Sequence, residues 1–418
     1  MTRKDNITIL SIKHPVCCGL DVHKKIISAY LISLDKKGKE QSEIKEFGTF
    51  TDELIDLRNW LIKNECPIVA MESTGVYWRP VHNIIEEFTE VILVNARHIK
   101  NVPGRKTDIS DSEWLAGLLR HGLLRGSFIP KKEVRQWREL TRLRKSYTQS
   151  LGDYKRRVHK LFECANIKID SVVSDLFGKT GRNLINLLCD KGAELNQENI
   201  QKSAEGSLTK KVEELYRSIQ GFFEDHHRFE LNSLMRIILA TEIEISKITK
   251  RLEELMKPNQ ELLDNLDKIP GINKIASQSV VSEIGITLKD FQTMTKFVSW
   301  AGLCPGNNES AGKRKSGRSP VRKHPFKTIM VEIAWAAIKK KNSYYRDKYY
   351  RLKSRRGAKK AIVAIAHRIA KAIYNIIKYG VEFEDLGDDY LININKTKRL
   401  NNLKKQAQLL GFDLVPAI

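Results

Sequence analysis

The sequence predicts an α/β domain at the N-terminus, a helical coiled-coil middle and a mostly α-helical C-terminal domain. Three observations lead there. Short apolar runs alternate with helical stretches as far as Leu119, long stretches of helical spacing follow, and the basic residues gather in two blocks within the helical part.

The first elements read in order. VCCGLDV (16–22) is a short apolar run, KIISAYLIS (25–33) follows after a turn, and IKEFGTF (44–50) ends at Thr51-Asp52, a cap for the helix DELIDLRNWLIKN (52–64). CPIVAMEST (66–74) reads as a fully buried strand, YWRPVHNIIEEF (77–88) as a helix and EVILVN (90–95) as another buried strand. GRKTDISDSEWLAGLL (104–119) then opens an amphipathic helix. The order β-β-β-α-β-α-β-α is that of an RNase H-like domain, a mixed sheet flanked by helices.

That order gives four carboxylates a common purpose. Asp108 and Asp111 stand three apart at a helix start, where acids ordinarily cap the helix and oppose its dipole. Asp21 lies in an apolar first strand and Glu72 at the carboxyl end of another, positions where an acid is costly without a partner. Strand ends beside a helix start share one cleft in such a fold. Asp21, Glu72, Asp108 and Asp111 therefore form a candidate site for two Mg²⁺ (or Mn²⁺) ions about 3.5–4 Å apart, an arrangement suited to phosphodiester chemistry.

Composition narrows the partner. The chain carries 73 Lys and Arg against 50 Asp and Glu, a net charge of +23, which points to a polyanion. No apolar run approaches the roughly 18 residues that span a bilayer, and MTRKDNITIL lacks the features of a secretion signal, so no membrane partner is expected. Six scattered cysteines without C-x-x-C spacing argue against a zinc module or disulfide framework and for the cytoplasm. Lys131–Lys160 holds 11 basic residues against 3 acids, and Lys313–Lys360 holds 18 against 2. Trp137, Tyr147 and Tyr154 interleave with the first block, and Tyr344, Tyr345, Tyr349 and Tyr350 with the second. Both read as surfaces that track a nucleic-acid backbone and stack on bases.

Beyond the α/β region, 131–163 reads as one long basic helix. Leu231, Leu234, Ile238, Thr241, Ile245, Ile248, Leu252 and Leu255 alternate three and four apart, the spacing of a helical hairpin or dimerising coiled coil. Ile269-Pro270-Gly271-Ile272 before a helix is similar to a helix-hairpin-helix turn, whose amides can take a phosphate. FVSWAGLCPGNNESAGKRKSGRSP (297–320) reads as a Gly- and Ser-rich basic loop. Two apolar-faced helices follow, joined by the basic NSYYRDKYYRLKSRR, and a polar tail begins near Val381.

GLDVHKK, MESTGVYW, VPGRKTDISDSEWLAGLLRHG, IPGI, AGLCPGNNESAGKRKSG and YYRDKYYRLKSRRGAKKAIVAIAHRIAKAIY, in that order, resemble the DEDD transposases of insertion sequence family 110. The resemblance implies a RuvC-like domain supplying the tetrad Asp21, Glu72, Asp108 and Asp111, and a C-terminal transposase domain whose nucleophile matches Ser310 in NNESAGK. It also implies a structured non-coding guide RNA that pairs with donor and target double-stranded DNA, and active sites completed within a homo-oligomer, dimer or tetramer. The domains expected are 1–130 (RuvC-like), 131–262 (basic helix and coiled coil), 263–380 (transposase domain with the serine loop) and 381–418 (tail). Candidate nucleic-acid contacts are Lys106, Arg135, Arg138, Arg142, Arg144, Lys313, Arg314, Arg318, Arg351, Arg355 and Arg356. The alternatives are a Mg²⁺-dependent nuclease like a Holliday-junction resolvase, which shares the carboxylates and needs no serine, a site-specific DNA invertase, and a structural nucleic-acid-binding protein.

Overall fold

The computed structural model describes residues 11–35, 37–73, 75–95, 110–306, 308–310, 313–316 and 324–413, with backbone alone at 308–310, 313–316, 395 and 397–399. The chain divides into two compact units, residues 1–129 and 130–418.

Unit 1 is built on a five-stranded mixed sheet. Its elements are β1 (Cys17–Val22), β2 (Ile26–Leu34), β3 (Glu40–Gly48), α1 (Thr51–Lys63), β4 (Ile68–Glu72), α2 (Trp78–Ile85), β5 (Glu90–Val94) and α3 (Asp111–Arg120). Strand order is β3-β2-β1-β4-β5; β1, β2 and β3 pair antiparallel, while β4 and β5 run parallel to β1. Side chains alternate across a strand. Cys18, Leu20 and Val22 accordingly join Leu54, Leu57, Val81 and Ile85 on the α1 and α2 side. Cys17 joins Ile32, Ile68, Ala70, Ala116 and Leu119 on the α3 side. With both faces covered, β1 and β4 are apolar along nearly their whole length, which is why they read as buried runs.

One close approach fixes α3 on its face. A Cβ added at Gly19 would lie 2.1 Å from the Ser112 carbonyl oxygen and 2.6 Å from the Ala116 nitrogen. Only glycine lets the helix backbone settle that near β1.

Unit 2 is helical, comprising α4 (Lys132–Cys164), α5 (Lys179–Cys189), α6 (Gln197–Ser203), α7 (Val212–Ser218), α8 (Asp225–Met256), α9 (Gln260–Asp267), α10 (Lys274–Ile284), α11 (Met294–Trp300), a hairpin of β6 (Asn308–Ser310) and β7 (Lys313–Ser316), then α12 (Pro325–Ala337), α13 (Tyr344–Arg356), α14 (Ala358–Tyr379) and α15 (Tyr390–Leu409). Val158, Leu161 and Phe162 near the end of α4 share a core with Leu231, Leu234, Met235 and Ile238 near the start of α8, so these long helices run antiparallel. Of the heptad residues, Leu231, Leu234, Ile238, Ile248 and Leu252 are buried within the chain, whereas Thr241, Ile245 and Leu255 are half-buried.

The structure departs from the sequence reading in four places of unit 2. The segment 344–356, read as a connector, is helix α13, with Tyr344, Tyr345 and Tyr349 buried. The loop after Trp300 contains a hairpin, and the tail carries α15. The Ile269–Ile272 turn packs against α12: Gly271 has φ +86°, and a Cβ there would meet the Ile333 carbonyl oxygen at 2.4 Å. Packing therefore accounts for that glycine.

Candidate active site

Asp21 and Glu72 come together through sheet register. Leu20 pairs with Met71 across parallel β1 and β4, and Asp21 and Glu72 are the next residues on each strand. Both project to the α3 side, because Cys17 on β1 and Ile68 and Ala70 on β4, each an even number of residues away, pack there. Neighbouring strands lie about 4.8 Å apart, so the two carboxylates are neighbours at one sheet end.

A pair of serines anchors the helix start that carries Asp111. Ser28 stands directly opposite Asp21 in the β1–β2 ladder. Its hydroxyl lies 3.2 Å from that of Ser112, a fully buried residue in the first turn of α3. Ser110 caps the same helix by accepting from the Glu113 N–H at 3.2 Å, and its hydroxyl lies 3.3 Å from that of Ser112. Asp111, the first helical residue, is exposed between these two anchored serines. Sequence reasoning gave no role to Gly19, Ser28 or Ser112; a glycine two residues before Asp21 was the available signal.

His23 is a further member. Its Nε2 lies 3.0 Å from the Asp21 carboxylate, and the ring is largely exposed. It was legible only as a letter of GLDVHKK.

Asp21 and Glu72, oxygen donors on rigid strands, suit hard cations. Among the described residues, the only three His, Cys, Asp or Glu ligand atoms all within 4.8 Å of one another are those of Glu224, His226 and His227 at the start of α8. Asp21, Glu72 and Asp111 are not among them. Asp108 and Lys106 lie outside the described residues.

In unit 2, Ser310 ends β6 and pairs with Lys313 of β7, so the expected nucleophile sits at a hairpin tip opposite a basic residue. The side chains of Ser310, Lys313 and Arg314, and the whole of Arg318, lie outside the described residues.

Three arginines expected to contact nucleic acid are engaged inside unit 2. Arg138 donates to the carbonyls of Ser282 and Glu283 at 3.1 and 2.6 Å, capping the C-terminus of α10. Arg142 makes two bonds of 2.9 Å to the buried Glu283 carboxylate. Arg144, 3% exposed, donates to Gln278 Oε1 at 2.8 Å, and burial lowers its pKa. Arg135 donates to the Pro130 carbonyl and Arg351 to Asp347, both within hydrogen-bond distance. Arg355 and Arg356 are exposed. Of the aromatics expected to stack, Trp137, Tyr344, Tyr345 and Tyr349 are each buried, Tyr147 and Tyr154 are half-buried, and Tyr350 is 51% exposed.

Residues 18–166 match the family model for the DEDD transposase of IS110 elements, and residues 263–351 match that for the transposase of the IS116/IS110/IS902 family. Together the matches take in more than half of the chain. The chain belongs to the IS110 family of transposases. This transposase is an enzyme whose substrate is DNA. The first match spans the sheet, α3 and all but the start of β1, and continues through α4; the second spans the Ile269–Ile272 turn, the hairpin bearing Ser310 and the first half of α13. No curated protein matches it. No helix among its described residues is long and apolar enough to cross a membrane.

Proposed function

We propose that this transposase cuts and rejoins DNA strands through a serine–phosphodiester intermediate, with Asp21, Glu72, Asp108 and Asp111 holding Mg²⁺ or Mn²⁺ and Ser310 as nucleophile. The observation that supports the reading is the adjacency of Asp21 and Glu72 through the β1–β4 register, with the helix start that carries Asp111 held to the same sheet by the Ser28–Ser112 contact.

Divalent cations bound there would offset the charge of a scissile phosphate and favour loss of the nucleophile's proton. The protein's own groups do the rest. His23 orients the Asp21 carboxylate, and Ser112 holds the helix start that carries Asp111. Ser310 Oγ forms the bond to phosphorus and gives up its proton; the bond to the leaving sugar oxygen breaks, and that oxygen takes up a proton. Attack by a hydroxyl of another strand reverses the step and frees the serine, so rejoining needs no nucleotide cofactor. The Lys313 and Arg314 cations, close to Ser310 in the hairpin sequence, balance charge on the attacked phosphate.

The same proposal includes a structured guide RNA that selects donor and target DNA by pairing, a homo-oligomer as the working form, and a cytoplasmic place of action. Recognition by pairing needs no base-reading helix in the protein. Exposed Arg355 and Arg356 then hold nucleic-acid backbone, whereas Arg138, Arg142 and Arg144 support the architecture beneath it.

Recombination of DNA carrying the element's junction, with the flanking RNA and Mg²⁺, tests the reading. Product is expected from the parent and none from Asp21→Asn, Glu72→Gln or Asp111→Asn. Unimpaired product from Asp111→Asn contradicts the metal role. Cleavage without rejoining, unchanged in Ser310→Ala, supports a resolvase-like nuclease instead.

A further inference from the structure

Helix α13 turns two faces to different tasks. Tyr344, Tyr345 and Tyr349 are buried, and Tyr349 meets Trp335 with ring centroids 6.0 Å apart. Tyr350 points outward, 51% exposed, and its ring packs edge-on to that of Tyr349 at 5.3 Å. An exposed ring held by a buried one loses little freedom when a ligand stacks on it.

Two cations one turn either side address the same ring. The Arg346 guanidinium and the Lys353 ammonium each lie 5.8 Å from the Tyr350 centroid. Next to them is a cavity of about 340 Å³, with Lys341, Arg346 and Tyr350 among its walls and Asn342, Asp347 and Asp388 around it. Asp347 is held in place by Arg351 at 2.8 Å.

This wall is chemically mixed. A bare phosphate is disfavoured by two carboxylates, and an apolar peptide by four charges. A ribonucleotide satisfies all of it: the base stacks on Tyr350, its phosphate meets Arg346 and Lys341, and the acceptors Asp347, Asp388 and Asn342 receive the 2′-hydroxyl and amino protons. Unstacked bases on aromatic and guanidinium planes, with 2′-hydroxyl contacts, are how proteins recognise unpaired RNA.

We infer that the Tyr350 face of α13 binds an unpaired nucleotide of RNA. The inference rests on the guide-RNA reading above and adds where an unpaired base of that RNA docks.

The test uses the full chain, with fluorescence anisotropy at fixed salt on three labelled probes: a short unstructured RNA, the single-stranded DNA of the same sequence, and a DNA duplex. Tyr350→Ala is expected to weaken RNA binding about tenfold, the loss typical of one stacked base, and to leave duplex binding unchanged. Tyr350→Phe retains the affinity, because the ring and not the hydroxyl is used. Arg355→Ala with Arg356→Ala weakens all three probes, which reports on backbone contact independently. RNA binding unaltered by Tyr350→Ala overturns the inference alone. Equal losses on RNA and single-stranded DNA overturn its assignment to RNA, and a parent chain that binds no probe overturns the guide-RNA reading with it.

Discussion

Ser28 and Ser112 hold their hydroxyl oxygens 3.2 Å apart, which ties the first turn of α3 to the strand residue opposite Asp21. The strand that carries Asp21 and the helix start that carries Asp111 are thereby joined, through Ser28, at a polar contact. Removing that contact with Ser112→Val is expected to leave the unit folded and to lower strand cleavage about 10–100-fold, the range seen when supporting residues around metal ligands are lost. Cleavage rates alongside thermal unfolding check it.

Gly19→Ala drives a Cβ into the α3 backbone at Ser112 and Ala116. The expected cost is about 1–3 kcal/mol of stability, that of overpacking a tight interior. Denaturant unfolding of the variant measures it, and cleavage falls in parallel because α3 carries Asp111.

Glu283 accepts from Arg142 and lies close to Arg138 while nearly buried. Glu283→Ala removes the carboxylate that Arg142 donates to, while Arg138 keeps its backbone acceptors, so unfolding shifts by about 1.5–3 kcal/mol, the worth of a charge-assisted bond. The salt dependence of DNA binding does not change. By contrast, Arg355→Ala lowers the slope of log K against log salt by about 0.9, one phosphate contact.

The buried thiols set an alkaline limit. Burial pushes Cys17 up to about 11 and Cys66 to about 12, from an ordinary 9.0. Their protonated forms are favoured by folding, so this contribution is complete below pH 9 and is lost as pH rises through the folded values. Unfolding midpoints should fall between pH 9 and 11, and less so in Cys66→Ala. At neutral pH a thiol-alkylating reagent should modify exposed Cys164 and spare Cys17, Cys18 and Cys66, which peptide mass spectrometry reads.

Much of unit 1 was legible because its physics is local. Strands covered on both faces must be apolar, and an acid such as Asp21 or Glu72 at their ends then stands out. Helix α13 was not legible, because tyrosines carry its buried face and leave no aliphatic stripe to see. The roles of Arg138, Arg142 and Arg144 were hidden for another reason. Their partners on α10 lie more than a hundred residues away, and a cation clamped to a helix end has the same sequence as a solvated one.

The most direct measurement is a denaturing gel for a covalent protein–DNA adduct, formed with the flanking RNA, Mg²⁺ and DNA carrying the element's junction. The account predicts an adduct in the parent that requires RNA and metal and is absent from Ser310→Ala and Asp111→Asn. Cut DNA with no adduct, at the same level in Ser310→Ala, would contradict it.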